Sequence, residues 1–208
     1  PSPSPGSAGT CSPLVAHMPT IDLNDPIALL LASHEALNAA GLSAATYGGL
    51  ALATYGVPRE TRDADLAVVG FGLEHAVTAF RAAGHDVTPV FDALTFGGLL
   101  ISRMALTGGG ELNTVDLVTP RSDRLATALM SRALSGTLLE RTVRVVSPED
   151  FVLLKLLSTR ERDLEDAASV VTALGTLLDR DLIDAEVGLL ADEIGDHDVR
   201  ARARRLPS

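Results

Sequence analysis

The chain has 208 residues, 46% of them hydrophobic and 21% charged, with a formal net charge of −10. That length and balance suit one packed core, or one core with a small helical appendage, and exclude a disordered chain or a protein coated in nucleic acid, although a local basic face stays compatible with the charge. Cys11 is the single cysteine, which excludes an internal disulfide and a cysteine-rich zinc site, and no apolar run approaches the roughly 18 residues of a membrane span.

Aromatic residues are scarce and tryptophan is absent, so the core must be built of Leu, Val and Ala. The five histidines show no paired ligand spacing. Any metal must then be held by carboxylates, which selects a hard cation such as magnesium or manganese.

The opening stretch, Pro1 to His17, is rich in Pro, Ser and Gly and reads as disordered; residues 1–22 are expected to form a tail. It has neither the cationic start nor the apolar centre of a signal peptide, so a cytoplasmic location is the default expectation. The first helix is capped by Asn24 or Asp25, carries Pro26 in its first turn and ends at Gly41. Tyr47-Gly48-Gly49 reads as a loop before a short helix from Leu50 to Tyr55, which Gly56 and Pro58 stop. Asp63 to Val69 reads as a strand closed by Gly70, and Leu73 to Ala83 as a helix ended by Gly84.

Strand-like runs follow at Asp86–Val90, Leu99–Leu106, Glu111–Val118 and Leu138–Val146, with Gly108-Gly109-Gly110 as a hairpin turn and Ser122 to Leu134 helical in pattern. Ser147-Pro148-Glu149-Asp150 offers an N-cap, a proline at the first helical position and acids near the positive helix end. Helices are expected over 148–158, 161–174 and 182–193. Strand runs lie near one another in sequence with short turns. The expected fold is therefore α+β, with a small mixed β-sheet core over 23–146 and a C-terminal helical region over 147–208.

Side chains two apart on a strand share a face, so Asp63 and Asp65 present two carboxylates side by side. Their repulsion is one a cation would relieve. Gly48 and Gly49, just upstream, let backbone approach a phosphate, and a helix starting there offers free N–H groups to an anion. Each part alone is weak, since Asp-x-Asp recurs by chance at solvated strand ends and Gly-Gly is otherwise a loop.

In combination they carry a resemblance. Tyr47-Gly48-Gly49, then Gly56-Val57-Pro58-Arg59-Glu60-Thr61-Arg62-Asp63-Ala64-Asp65, resembles the signature of the nucleotidyltransferase superfamily that includes polymerase beta. The arrangement Gly-Gly … Gly-x-x-Arg-x-Thr-x-Asp-x-Asp is similar to its AbiEii-like branch, many of whose members are toxins of toxin–antitoxin pairs. The resemblance implies a third carboxylate from a neighbouring strand, for which Asp116, a lone acid in an apolar strand, is the match; an edge-strand acid facing water is the alternative. Asp63, Asp65 and Asp116 could then hold two magnesium ions, with Asp116 helping to deprotonate an acceptor hydroxyl. Arg59 and Thr61 match the family's Arg-x-Thr and either hold a phosphate or fix the loop, capping of the strand entry being the equal alternative.

The second matching block runs from Ser147 through Lys155 to Arg160-Glu161-Arg162-Asp163-Leu164-Glu165-Asp166. In AbiEii-like proteins such a segment completes the nucleotide site. Lys155 is the only lysine in the chain, and its compact charge on an apolar helix suits a triphosphate, a snorkelling lysine being the alternative. Asp163 and Asp166 share a helix face, where they orient Lys155 or the base, or else pair with Arg160 or Arg162.

The resemblance implies transfer of a nucleoside monophosphate from a nucleoside triphosphate to an acceptor hydroxyl, at a transfer RNA 3′ end or on a protein side chain, with a cognate antitoxin as a further partner. Arg121, Arg124, Arg132, Arg141, Arg144, Arg200, Arg202, Arg204 and Arg205 could form a basic face for RNA, or could simply balance the chain's acids. Two other readings stand beside it: adenylylation of a small molecule, as in aminoglycoside nucleotidyltransferases, for which an acidic groove is expected, and a non-catalytic partner-binding protein that kept the fold.

Overall fold

A computed structural model describes residues 21–207. The expectation of a disordered tail falls almost wholly outside the described residues. Within them Leu23 is buried, and Asp25 caps the first helix by accepting a hydrogen bond from the Ile27 N–H at 2.8 Å.

In chain order the first elements are α1 (Pro26–Ala39), β1 (Ala44–Tyr47), α2 (Gly48–Thr54), β2 (Ala64–Val68) and α3 (Leu73–Ala82). Three long strands follow: β3 (Asp86–Phe96), β4 (Leu99–Gly108) and β5 (Glu111–Pro120). After α4 (Asp123–Arg132) come β6 (Leu134–Leu138) and β7 (Arg141–Val145). The chain closes with α5 (Pro148–Leu157), α6 (Glu161–Leu174), a 3-10 turn at Gly175–Leu177, α7 (Arg180–Glu193) and α8 (Val199–Ala203). No helix among the described residues is long and apolar enough to cross a membrane.

The seven strands form one sheet in the order β3-β4-β5-β2-β1-β7-β6. It is mixed: β2 lies parallel to β5 and β1 parallel to β7, while the other neighbours are antiparallel. Alternation along the strands divides the core in two. Leu66, Val68, Met104, Leu106, Val115 and Leu117 pack with Leu29 and Leu37 of α1 and Phe80 of α3. On the opposite face Ala67, Leu99, Ile101 and Val118 pack with Phe151, Leu153 and Leu154 of α5.

Helix α5 is buried all round, which is why its Phe-Val-Leu-Leu-Lys-Leu-Leu sequence shows no polar face. Its one deeply buried acid, Asp150, takes hydrogen bonds from Nε and Nη2 of Arg132 in α4, and Arg132 also reaches Glu186 of α7. These bonds tie α5 and α7 to α4, the helix that follows β5.

Several elements depart from expectation. Tyr47 closes a short strand, β1, instead of opening a loop; the strand expected over 138–146 begins only at Arg141, as β7, and its hairpin partner β6 was not anticipated. Leu139 and Glu140 both adopt positive φ (46° and 64°), the two-residue turn geometry whose twist matches a hairpin but which Asn-Gly sequences usually announce. The helix expected to reach Leu134 stops at Arg132, and α8 was not anticipated.

Candidate active site

The parallel register of β2 and β5 sets Asp65 beside Asp116, and Asp63 lies in the turn just ahead of β2. Asp63 is thus outside the strand on which it was expected, yet each of the three carboxylates offers an oxygen within 4.8 Å of the others. Thr61 Oγ1 donates to Asp63 Oδ1 at 2.9 Å.

Gly48 has a positive φ of 65°, and a Cβ there would lie 1.9 Å from Asp65 Oδ2. One on Gly49 would meet the Thr61 side chain at 2.7 Å. The backbone therefore makes its close approach to the side chains of Asp65 on β2 and Thr61 in the loop before it. Neither glycine lines the adjoining cavity, nor does Asp166.

That cavity, of about 540 Å³, is lined by the three aspartates, Tyr47, Arg59, Thr61, Lys155 and Asp163, and by Arg62, Arg103, Arg160 and Arg162. Lys155 is almost wholly buried, with Nζ 2.5 Å from Asp163 Oδ1 and 3.0 Å from Asp166 Oδ2. It also sits over the rings of Tyr47 and Phe151, 5.1 and 5.3 Å from their centroids. Asp166 accepts in addition from Arg59 Nη1 at 2.9 and 3.0 Å, so a chain of charges runs from α5 through α6 to the loop before Asp63. Ser158 Oγ donates to Asp163 at 2.5 Å. Burial alone would push the Asp163 carboxyl up, but the charge and hydrogen bond of Lys155, with the Ser158 hydroxyl, hold it below its usual range.

Sequence reasoning missed Arg103, which forks onto both oxygens of Asp116, and the part played by Tyr47 in caging Lys155. It also proposed a basic face that is largely neutralised: Arg121 pairs with Asp196, Arg124 with Glu186 and Glu193, Arg141 with Glu35, Arg200 with Asp192 and Arg205 with Glu161. Arg62, Arg160 and Arg162, at the cavity, form no ion pair with a described residue.

The all-carboxylate donor set fits a divalent hard cation. Burial, then the charges of Asp63 and Asp116, push the Asp65 carboxyl up to about 7. A cation would remove that repulsion. Because the folded-state value is raised, the metal-free protein gains stability from this proton at low pH and loses it as pH rises through about 7. Magnesium should therefore raise the melting temperature more at about pH 8 than at about pH 5, where protons compete for the same oxygens. Calorimetry at the two pH values checks this, and an equal shift at both would contradict it.

No family model matches the sequence, and no curated protein does. Among solved structures, the antibiotic-resistance factor ANT(2'')-Ia, determined in solution, superimposes with a TM-score of 0.50 at 18% identity, covering 80% of this chain and 94% of that one. The fold is a nucleotidyltransferase fold. Weaker matches are the crystal structure of ANT(2'')-Ia in complex with adenylyl-2''-tobramycin (TM-score 0.44, 18% identity, 85% and 98% covered) and an antigenic nucleotidyltransferase-like protein from Paracoccidioides brasiliensis (0.45, 19%, 85% and 91%).

Proposed function

We propose that the chain is a divalent-cation-dependent nucleotidyltransferase that moves a nucleoside monophosphate from a nucleoside triphosphate to an acceptor hydroxyl. The observation that carries this reading is the convergence of Asp63, Asp65 and Asp116 within 4.8 Å at a cavity that also presents arginines. A cation held by the three acids would neutralise charge on the triphosphate and on the attacking oxygen. Thr61 holds Asp63 in place, and Arg59, tied to Asp166, fixes the loop between them. Arg62, Arg160 and Arg162 face the polyphosphate. Attack forms one bond from the acceptor oxygen to the α-phosphorus as the bond to the bridging oxygen breaks. Pyrophosphate leaves, and the hydroxyl proton passes to Asp116. Positioning and charge neutralisation supply most of the rate.

For the acceptor, we favour an RNA 3′ end, with a protein side chain second, in a cytoplasmic enzyme of the AbiEii-like toxin branch held in check by a cognate antitoxin. An amine-rich aminoglycoside would need free carboxylates. Of the acids lining the cavity, all but Glu60 are committed to the metal set or to Lys155. Glu60 alone offers little to such an acceptor, and with few aromatics for stacking, RNA binding would rest on phosphates.

Incubation with each of the four labelled triphosphates and magnesium, with and without total transfer RNA at two salt concentrations, tests this. Labelled RNA is expected, with a yield that falls steeply as salt rises. Label on an aminoglycoside alone would overturn the acceptor, and no label on any acceptor would overturn the activity.

A further inference from the structure

Of the three acids in the cluster, Asp116 is the one whose two oxygens are both taken up by a single neighbour. Arg103 Nε donates to Oδ1 at 2.6 Å and Nη2 to Oδ2 at 2.7 Å. The β4–β5 ladder pairs Arg103 directly with Asp116, so the two side chains rise from the same face. Two parallel bonds from a planar guanidinium fix the plane of the carboxylate, where a lysine would leave it free to turn.

Arg103 is itself held. Its guanidinium carbon lies 5.6 Å from the centre of the Phe91 ring. Phe91 stands opposite Arg103 only because β3 breaks register on both sides of it, between Pro89 and Phe91 and between Phe91 and Leu94. Irregularities of this kind re-aim a side chain beside a site. With the fork in place the three carboxylates still bring oxygens within 4.8 Å of one another. Each oxygen bonded to Arg103 keeps a further lone pair for a cation.

We infer that Arg103 is a positioning residue for the metal site: it fixes the Asp116 carboxylate so that its remaining lone pairs face Asp63 and Asp65. The inference rests on the nucleotidyl-transfer reading for its kinetic consequence, and on geometry alone for its consequence in metal binding.

Arg103→Lys tests it, because the charge stays beside buried Asp116 while the fork is lost. Three measurements are needed: the melting temperature, manganese affinity from the spin-resonance signal of free ion, and kcat and KM for the triphosphate. Manganese binding is expected to weaken about 10-fold and kcat to fall about 10- to 100-fold, with KM and melting temperature nearly unchanged. A variant that melts lower but binds manganese and turns over as the parent does would make the pair merely structural and overturn the inference. Should the wild type transfer no nucleotide while manganese affinity still drops in the variant, the positioning role stands and the transfer reading fails. If Arg103→Lys does not fold, Phe91→Leu, which removes only the ring beneath the guanidinium, is expected to weaken manganese binding about twofold or more. Unchanged affinity there overturns the inference equally.

Discussion

Asp63→Ala and Asp65→Ala should each lower nucleotide transfer about a thousandfold or more, because each removes one of the three ligands that make the cation site. Neither should unfold the protein. Asp63 lies in a turn before β2, and Asp65 is half-buried among like charges. Truncating Asp65 takes away a carboxylate that burial and its two neighbours already hold near neutrality. The metal-free variants should consequently melt at or above the temperature of the parent, while the rise produced by magnesium disappears. Transfer assays with labelled triphosphate, run beside thermal melts with and without magnesium, read both effects. Near-normal transfer by either variant would end the proposal that these acids hold the catalytic cation.

Much of this site was legible along the chain. The Asp-Ala-Asp spacing, the glycines upstream of it and the lone acid at 116 are local patterns, and the sheet brings them together through the parallel pairing of β2 with β5. Arg103 was legible too, although it went unread. Walking the ladder back from Gly108 and Glu111, at the glycine turn, brings Arg103 opposite Asp116. What could not be read is partner choice over long separations. Asp163 and Asp166 were expected to orient Lys155 or else to pair with Arg160 or Arg162, and the Lys155 ammonium does meet both; Arg59, 107 residues from Asp166, is the partner that was not foreseen. Among the arginines named for a basic face, Arg121, Arg124 and Arg141 follow the alternative that they balance acids, with carboxylates that lie many residues away in sequence. β1 escaped notice because four buried residues in succession show no alternation.

Lys155→Met separates two roles for the only lysine. A lysine that served the triphosphate alone could be replaced by methionine at little cost in stability, since the apolar stem is kept. Here the ammonium is buried between Asp163 and Asp166, and its removal leaves Asp163 facing no charge but that of more distant arginines. Breaking a buried pair from one side costs about 3–5 kcal/mol, or a drop of about 10 °C or more in a chain of this size. The pH dependence carries a sign. In the wild type the depressed Asp163 contributes stability above the ordinary carboxylate range and loses it as pH falls through its lower folded-state value. In the variant, burial is no longer opposed by Lys155, so protonation relieves the folded state. The gap between the two proteins should therefore be widest at neutral pH and narrow below about pH 4. Adding Asp163→Asn to Lys155→Met should recover part of the loss, because the unpaired charge goes with its partner. Melts of the wild type, the two single variants Lys155→Met and Asp163→Asn, and the double variant across pH decide the matter. An unchanged melting temperature in Lys155→Met, together with weaker triphosphate binding, would return Lys155 to the role of a plain phosphate ligand.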